Sequence, residues 1–215
     1  MTAKKVYKGT LKNISKSGKI YYVDATIAPI LDKEGNILEY LAIRYNVTDH
    51  IQAINYAYTD NLTGIANRNK FEEVIAYEFK QVKRYNYPLS LAILDIDHFK
   101  TFNDNFGHLI GDEVLVALAQ SVKRYVRETD LFARWGGEEF VILLKNTDVE
   151  RSVKVLEKFR VLIENIEHER AGSITASFGL TQYKEGDTLD SILQRADDAL
   201  YQAKDAGRNC IRSII

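Results

Sequence analysis

Hydrophobic and polar residues alternate over short stretches in the first fifty positions of the chain, a pattern typical of β-strands with one buried face. Turns are expected between these stretches at Ser17-Gly18 and at 32–36. The pattern predicts an antiparallel meander of three strands, at 7–14, 20–30 and 37–47. Such a small sheet exposes an edge and a face, so we expect it to pair with another chain or to pack on a neighbouring domain.

From residue 58 onward, longer stretches with helical spacing alternate with short apolar runs. We predict helices at 69–85, 109–127, 149–166 and 189–206, and strands at 89–94, 131–135, 139–144, 175–181 and 209–213. The central order, β-α-β-β-α-β, is typical of the ferredoxin-like or polymerase-palm arrangement. We therefore predict an α+β fold with a central antiparallel sheet flanked by helices, and we expect those helices on one face of the sheet.

Between the two parts, apolar residues follow helical spacing. We interpret 49–58 as a connecting helix that also serves dimerisation, and an ordinary core helix is the alternative. The chain then divides into a meander at 1–48, this connecting helix, and a larger domain at 59–215.

The composition and the net charge exclude some classes of protein and partner. The chain has 215 residues, 46% of them hydrophobic, and a formal net charge of −1. Without a broad positive field, polymeric nucleic acid is not an expected partner. The single Cys210 cannot form an intramolecular disulfide, which fits a reducing compartment. No apolar run approaches the ~20 residues of a membrane span, and no hydrophobic signal region follows the N-terminus, so we expect a cytoplasmic protein without membrane contact.

The stretch RWGGEEF at 134–140 places two carboxylates beside a tight turn. Gly136-Gly137 suits a two-residue hairpin turn with positive φ, so Glu138 and Glu139 are expected at the start of the following strand. Carboxylates in this position can hold a metal ion. On its own, the motif also fits a solvated turn whose charges keep the hairpin soluble.

A second acidic pair follows the apolar run at 89–94. Because side chains alternate along a strand, Asp95 and Asp97 leave the same face while Ile96 points to the other. Two acid-bearing strand ends form an oxygen-rich site of the kind that binds Mg²⁺ together with substrate phosphates. Either aspartate could instead cap the segment that follows it.

Four ordered motifs resemble those of a known family. They are DNLTGIANR at 60–68, DIDHFKTFNDNFGHLIGDEVL at 95–115, RWGGEEF at 134–140 and KDAGRN at 204–209. Together they resemble the GGDEF family of diguanylate cyclases over residues 58–215, with glutamate at the third position of the signature. Since this variant keeps the carboxylate, the resemblance implies an active enzyme.

The resemblance implies roles for individual residues. It implies a divalent metal, Mg²⁺ with Mn²⁺ as an alternative, and the metal-binding and catalytic positions are Asp95, the backbone carbonyl of Ile96, Lys100, Glu138 and Glu139. Glu139 is also a candidate general base. Asp97 is not the metal ligand in the family pattern, and it could hold the adjacent loop instead.

The implied substrate is GTP. The substrate-binding positions are Asn103 and Asp112 for guanine, Leu62, Phe99 and Leu115 for the apolar walls, and Lys100, the backbone amides beside it, Lys204 and Arg208 for the phosphates. Lys204 and Arg208 face together if their helix continues that far. Without the resemblance, Asp112 also fits a helix N-cap, Asn103 a turn residue, and the two cations a solvated helix end.

The implied reaction joins two GTP molecules into cyclic di-GMP and releases two pyrophosphates. Each domain of this family holds one GTP, so a two-fold homodimer is implied. Arg127 and Asp130 match an RxxD site at which cyclic di-GMP acts as feedback inhibitor, and an exposed ion pair is the alternative. The meander resembles the C-terminal half of a PAS sensor domain, without an expected haem or flavin. The rival functions are a catalytically silent GTP or cyclic di-GMP receptor and a dimerising interaction module.

Overall fold

The computed structural model describes residues 5–170 and 172–215. The chain divides into two compact units, one ending at Ala57 and the other running from Tyr58 to Ile215. Within the described ranges, no helix has both the length and the apolar character needed to cross a membrane.

The first unit is a three-stranded antiparallel sheet followed by a helix. Its elements are β1 (Tyr7–Ile14), β2 (Ile20–Leu31), β3 (Ile37–Asn46) and α1 (Thr48–Tyr58), whose last residue begins the second unit. β2 lies in the middle, so the predicted meander is confirmed. Val23, Ala25 and Ile27 on β2 are buried, whereas Leu41 and Tyr45 on β3 are exposed. Pairing of this exposed surface with another chain stays a prediction.

The second unit is built on a six-stranded sheet. The strands of this unit are β4 (Ala66–Asn67), β5 (Leu89–Ile96), β6 (Leu131–Gly136), β7 (Glu139–Lys145), β8 (Glu167–His168), β9 (Gly172–Ser173), β10 (Ala176–Gln182) and β11 (Ile211–Ser213). The helices are α2 (Arg68–Tyr85), α3 (Phe99–Phe106), α4 (His108–Lys123), α5 (Val149–Glu164) and α6 (Leu189–Asp205). β8 and β9 form a separate hairpin.

The main sheet has the strand order β11-β10-β5-β7-β6-β4. Its four central strands pair antiparallel, and the two outer strands each add a parallel pair. The predicted α+β class and the core order are confirmed, because β5, α4, β6, β7, α5 and β10 follow one another as expected.

The expectation that the helices cover one face of the sheet is wrong. Every residue of β5 is buried, so its alternating side chains supply apolar surface to both faces. Leu94 packs in one core with residues of α4 and α5, whereas Leu91 packs in a second core with residues of α2 and α6. Two helices on each side are needed because each apolar face must be covered.

Gly179 brings α6 close to the sheet. A Cβ atom at this position of β10 would overlap the backbone of Ala196 and Leu200 in α6. The absence of a side chain therefore lets the helix backbone approach the strand directly. This close packing holds α6 beside the central strands, and α6 carries Lys204 near its C-terminal end.

Candidate active site

The acidic residues predicted at two strand ends meet across one strand pair. Asp95 on β5 lies opposite Glu139 on β7 in the antiparallel register. Asp95 is buried and Glu139 is half-buried. Glu138 occupies the turn immediately before β7, so all three carboxylates lie at the same end of the central sheet.

The turn before β7 differs from the predicted one by a single residue. Gly136 closes β6, and the two turn residues are Gly137 and Glu138. Gly137 has φ 53°, which glycine adopts without strain. Arg134 fixes this turn, because its Nε and Nη2 donate to the carbonyl of Gly137 at 2.9 and 2.8 Å. Glu138 therefore projects from a turn that is tied back to β6.

Arg134 also connects the turn to the DNLTGIANR segment. Its Nη1 donates to Asp60 Oδ1 at 3.2 Å, and Asp60 accepts the backbone amide and the hydroxyl of Thr63 at 2.9 and 2.6 Å. Burial raises the pKa of Asp60, but the Thr63 hydrogen bonds and the Arg134 charge outweigh burial, so the pKa lies below its ordinary value. The DNLTGIANR segment is thus linked to the acidic turn through Arg134.

Lys204 reaches the same carboxylates from α6. Its Nζ lies 3.0 Å from Asp95 Oδ1. Burial raises the pKa of Asp95, Lys204 lowers it, and the charges of Glu138 and Asp97 raise it further, with a net rise. Burial also raises the pKa of Glu139, and the charge of Asp95 adds to this rise. The site concentrates negative charge that one lysine does not fully compensate.

The donor set fits a hard divalent cation. Carboxylate oxygens of Asp95, Glu138 and Glu139 lie at this end of the sheet, and hard divalent cations prefer such oxygen ligands. Within the described ranges, no three His, Cys, Asp or Glu side chains form a ready-made metal group.

Asp97 is occupied by hydrogen bonds within the protein. Its carboxylate accepts the hydroxyls of Thr175 and Ser177, both at 2.7 Å, and the backbone amide of Asn209 at 3.0 Å. Neither aspartate caps the following helix, because the N-cap position of α3 is His98. Asp95 and Asp97 thus differ in role: Asp95 faces the acidic cluster and Asp97 joins three chain segments.

Helix α3, which the sequence pattern did not predict, presents backbone amides beside Asp95. His98 precedes it with φ 58°, and Phe99 and Lys100 form its first turn. The first amides of a helix have no partner inside the helix, and they attract anions. The amides expected to cradle phosphates therefore belong to a helix start, where Lys100 is exposed.

The guanine-reading candidates lie on two successive helices. Asn103 is on α3 and Asp112 is on α4, so neither the turn nor the N-cap alternative holds. Asn103 Oδ1 is buried and has no hydrogen-bond partner among the described residues. Such an atom is costly unless a ligand or water satisfies it. Asp112 is exposed to solvent.

Gly111 makes room for Asn103, a feature missed from sequence. A Cβ atom at Gly111 would overlap Asn103 Oδ1 and lie 3.2 Å from Phe99 Cζ. Phe99 and Leu115, both expected as apolar walls, are buried in the core beneath, and Leu62 packs against the same core. The only sequence signal for this contact is a glycine inside a helical pattern, which often marks close packing.

Lys204 and Arg208 do not share a helical face, because α6 does not continue as far as Arg208. α6 ends at Asp205, Gly207 has φ 107°, and Arg208 has φ 67°. The Arg208 amide donates to the Ala203 carbonyl at 3.0 Å and the Gly207 amide to the Lys204 carbonyl at 3.4 Å, a Schellman ending. Arg208 therefore leaves the helix, and its guanidinium is exposed.

The RxxD residues form a turn outside the acidic cluster. α4 ends at Lys123 rather than at Arg127, and the Asp130 amide donates to the Arg127 carbonyl at 3.0 Å. Asp130 Oδ1 accepts the Lys145 amide at 3.0 Å. Burial raises the pKa of Asp130, while this hydrogen bond and the charges of Arg127 and Lys145 lower it, with a net rise. Arg127 is exposed.

The chain is similar in sequence to a known diguanylate cyclase. The chain is 44% identical over 156 residues to the diguanylate cyclase DgcP of Pseudomonas aeruginosa, and the match covers 71% of this chain and 23% of that protein. The chain thus spans about a quarter of the length of this curated relative.

Two solved structures are similar in fold. The coiled coil and GGDEF domain of DgcB from Caulobacter crescentus, in complex with c-di-GMP, has a TM-score of 0.74 and 34% identity, covering 77% of this chain and 91% of that chain. The active GGEEF domain of a diguanylate cyclase from Vibrio cholerae has a TM-score of 0.66 and 37% identity, covering 69% and 97%.

A family model for the diguanylate cyclase GGDEF domain matches residues 57–210, a range that includes all four motifs and most of the chain. The chain therefore belongs to the GGDEF domain family of diguanylate cyclases.

Proposed function

We propose that the chain is a diguanylate cyclase that condenses two GTP molecules into cyclic di-GMP and releases two pyrophosphates. The observation that carries this proposal is the placement of Asp95, Glu138 and Glu139 at one end of the sheet with Lys204 on Asp95. A receptor for nucleotides does not need three carboxylates beside an anionic ligand, and a dimerising module needs none of them.

Asp95, Glu138 and the carbonyl of Ile96 would hold Mg²⁺, with Mn²⁺ as the alternative and Glu139 as a further ligand. When bound, the cation would polarise the α-phosphate and stabilise the attacking and leaving oxygens. The protein contributes the negative charge that retains the cation, and the amides at the start of α3 with Lys100, Lys204 and Arg208 neutralise the triphosphate.

Guanine is assigned to Asn103 and Asp112. The Asp112 carboxylate can accept two guanine N–H groups in a bidentate contact. The Asn103 amide would hydrogen-bond to the other edge of the guanine ring. Its buried oxygen, which has no partner among the described residues, would then find one in the ligand. Leu62, Phe99 and Leu115 would form the apolar walls.

Bond formation requires two copies of the chain. In a two-fold dimer, the 3′-hydroxyl oxygen of one GTP attacks the α-phosphorus of the other, and the bond from that phosphorus to the bridging oxygen of pyrophosphate breaks. The hydroxyl proton passes to Glu139 or to solvent. A second equivalent attack closes the ring, so each active site requires the partner's nucleotide.

The same proposal covers the organisation of the chain. Residues 59–215 would form the catalytic domain, 49–58 a connecting and dimerising helix, and 1–48 a partial PAS-like sheet, all in the cytoplasm. The division of the described chain after Ala57 supports this assignment.

The proposal is tested by incubating the purified chain with GTP and Mg²⁺ and separating the nucleotides by chromatography. We expect cyclic di-GMP and pyrophosphate in a ratio of one to two, as the reaction stoichiometry requires. GTP binding without cyclic product, at protein concentrations that saturate dimer formation, would instead establish a receptor.

We further propose that Arg127 and Asp130 bind cyclic di-GMP as a feedback inhibitor. Arg127 is exposed and can make bidentate contacts, and the Asp130 carboxylate lies three residues further along the same turn. Cyclic di-GMP bound at this site would hold two catalytic domains apart. Binding at the RxxD site would thus reduce activity at the active site.

Replacing Arg127 with Ala should raise the concentration of cyclic di-GMP needed for half-inhibition by roughly tenfold or more, because a charge-assisted contact is lost. Initial rates without added product should match the parent. Arg124→Ala, an exposed arginine three residues earlier, is the matched control and should remain inhibited. Equal inhibition of parent and Arg127→Ala would reduce the RxxD pattern to a surface ion pair.

A further inference from the structure

Asp97 joins three segments that are remote in sequence. It follows β5, and its own backbone amide donates to the Thr175 carbonyl at 2.9 Å. The Thr175 and Ser177 hydroxyls fix its carboxylate from the β10 side, and Ser177 is fully buried. The third hydrogen bond comes from the backbone amide of Asn209, 112 residues further along the chain. The carboxylate is therefore held rigidly by β10 and in turn holds Asn209.

Asn209 lies in a segment with an unusual backbone. Arg208 and Asn209 are consecutive residues with φ of 67° and 43°. Non-glycine residues adopt this region at a cost, so surrounding contacts must keep them there. The Asp97 hydrogen bond to the Asn209 amide supplies such a contact directly after Arg208.

The side chain of Asn209 secures the same segment from the opposite direction. Its Oδ1 accepts Arg160 Nη1 at 2.9 Å, and its Nδ2 donates to Glu164 Oε1 at 2.8 Å. Arg160 and Glu164 both belong to α5, where Arg160 also pairs with Glu157. The backbone and the side chain of one residue thus connect the segment after α6 to β5 and to α5.

We infer that Asp97 and Asn209 form a clamp that positions Arg208 for the terminal phosphates of GTP. This inference rests on the proposed function, and it assigns Asp97 a positioning role rather than a role as metal ligand. Arg208 has left α6, and its guanidinium Nη1 donates to the carbonyl of Lys204 at the end of that helix, at 3.5 Å. The clamp fixes the backbone from which this side chain leaves, since Asn209 is the next residue and is held through both its amide and its side chain.

The test is a double-mutant cycle between Asp97→Asn and Arg208→Ala in the full chain, read as GTP and GMP binding. Asp97→Asn leaves one acceptor oxygen instead of two and removes the negative charge that strengthens the hydrogen bond from the Asn209 amide. Each single variant should weaken GTP binding by roughly 10- to 100-fold, the range for a hydrogen bond to a charged group. GMP lacks the terminal phosphates, so its affinity should change little. The double variant should bind GTP no more weakly than Arg208→Ala.

If the losses of GTP affinity in the two single variants multiply in the double variant, the clamp is refuted. Independent losses are what a direct charge effect of Asp97 on Asp95 would produce, because that effect does not act through Arg208. An equal loss of GMP affinity would overturn the clamp as well. Asp187→Asn is the matched control, since Asp187 is another aspartate with a largely buried side chain and several hydrogen bonds, in the loop just before α6. It should keep the GTP to GMP affinity ratio of the parent.

If Asp97→Asn does not fold, Thr175→Val carries the test. This variant keeps the side-chain shape but removes the hydroxyl bonded to the Asp97 oxygen that holds Asn209. It should weaken GTP binding several-fold, again without further loss in Arg208→Ala. A parent chain that binds GTP no better than GMP would refute the proposed function itself, whereas a GTP-preferring parent with additive variants refutes the clamp alone.

Discussion

Replacing Glu138 with Gln should lower the rate of cyclic di-GMP formation by roughly 100- to 1,000-fold, since metal stabilisation of the transition state is worth several kcal/mol. The amide keeps the size of the side chain and removes its charge. GTP should still bind, because the guanine and terminal phosphate contacts are unchanged.

Product formation and GTP binding are measured separately on the same Glu138→Gln preparation, by chromatography and by calorimetry. Glu185→Gln, an exposed glutamate in the loop before α6, is the control and should retain the parent rate. A decrease of only a few-fold in Glu138→Gln would remove Glu138 from the proposed metal site. Loss of GTP binding together with the rate would assign it to substrate binding instead.

Most of the helices and strands were predicted from sequence, but α3 was missed. β1 and the start of α2 and α6 lie at or within one residue of their predicted positions. The segment of α3, FKTFNDNF, is rich in Asn and Asp, which favour turns over helix interiors. Its N-cap residue His98 has positive φ and no capping hydrogen bond from its side chain. Phe99, Phe102 and Phe106 do recur at helical spacing, and the burial of Phe99 in the surrounding core helps to hold this segment as a helix.

The contacts that organise the candidate site connect residues remote in sequence. Alternation placed Asp95 and Asp97 on one face of a strand, but it could not reveal that Lys204 binds the first and Asn209 the second. Strand pairing places β10 beside β5 and brings Ser177 and Thr175 to Asp97, and no local pattern encodes that pairing. By contrast, the end of α6 had a local signal in Gly207, a residue typical of helix C-termini.

The contact between Gly111 and Asn103 leads to the second large expected effect. Asn103 Oδ1 is buried without a partner in the described chain, and only the missing side chain of Gly111 leaves room for it. Gly111 lies inside α4, where alanine is favoured over glycine by about 0.5–1 kcal/mol. An added methyl group should therefore displace the Asn103 side chain, which can rotate, rather than unfold the helix.

Gly111→Ala should consequently weaken GTP binding by roughly 10- to 100-fold, the loss expected for one or two hydrogen bonds to guanine, with a melting temperature close to that of the parent. Calorimetry with GTP and thermal unfolding measure the two effects. Asn103→Ala should show a similar loss, and the variant carrying both changes should bind no more weakly than Asn103→Ala, because Gly111 acts only through Asn103. Full GTP affinity in Gly111→Ala would contradict the assignment of Asn103 to guanine, and a collapse of stability would show that Gly111 serves helix packing instead.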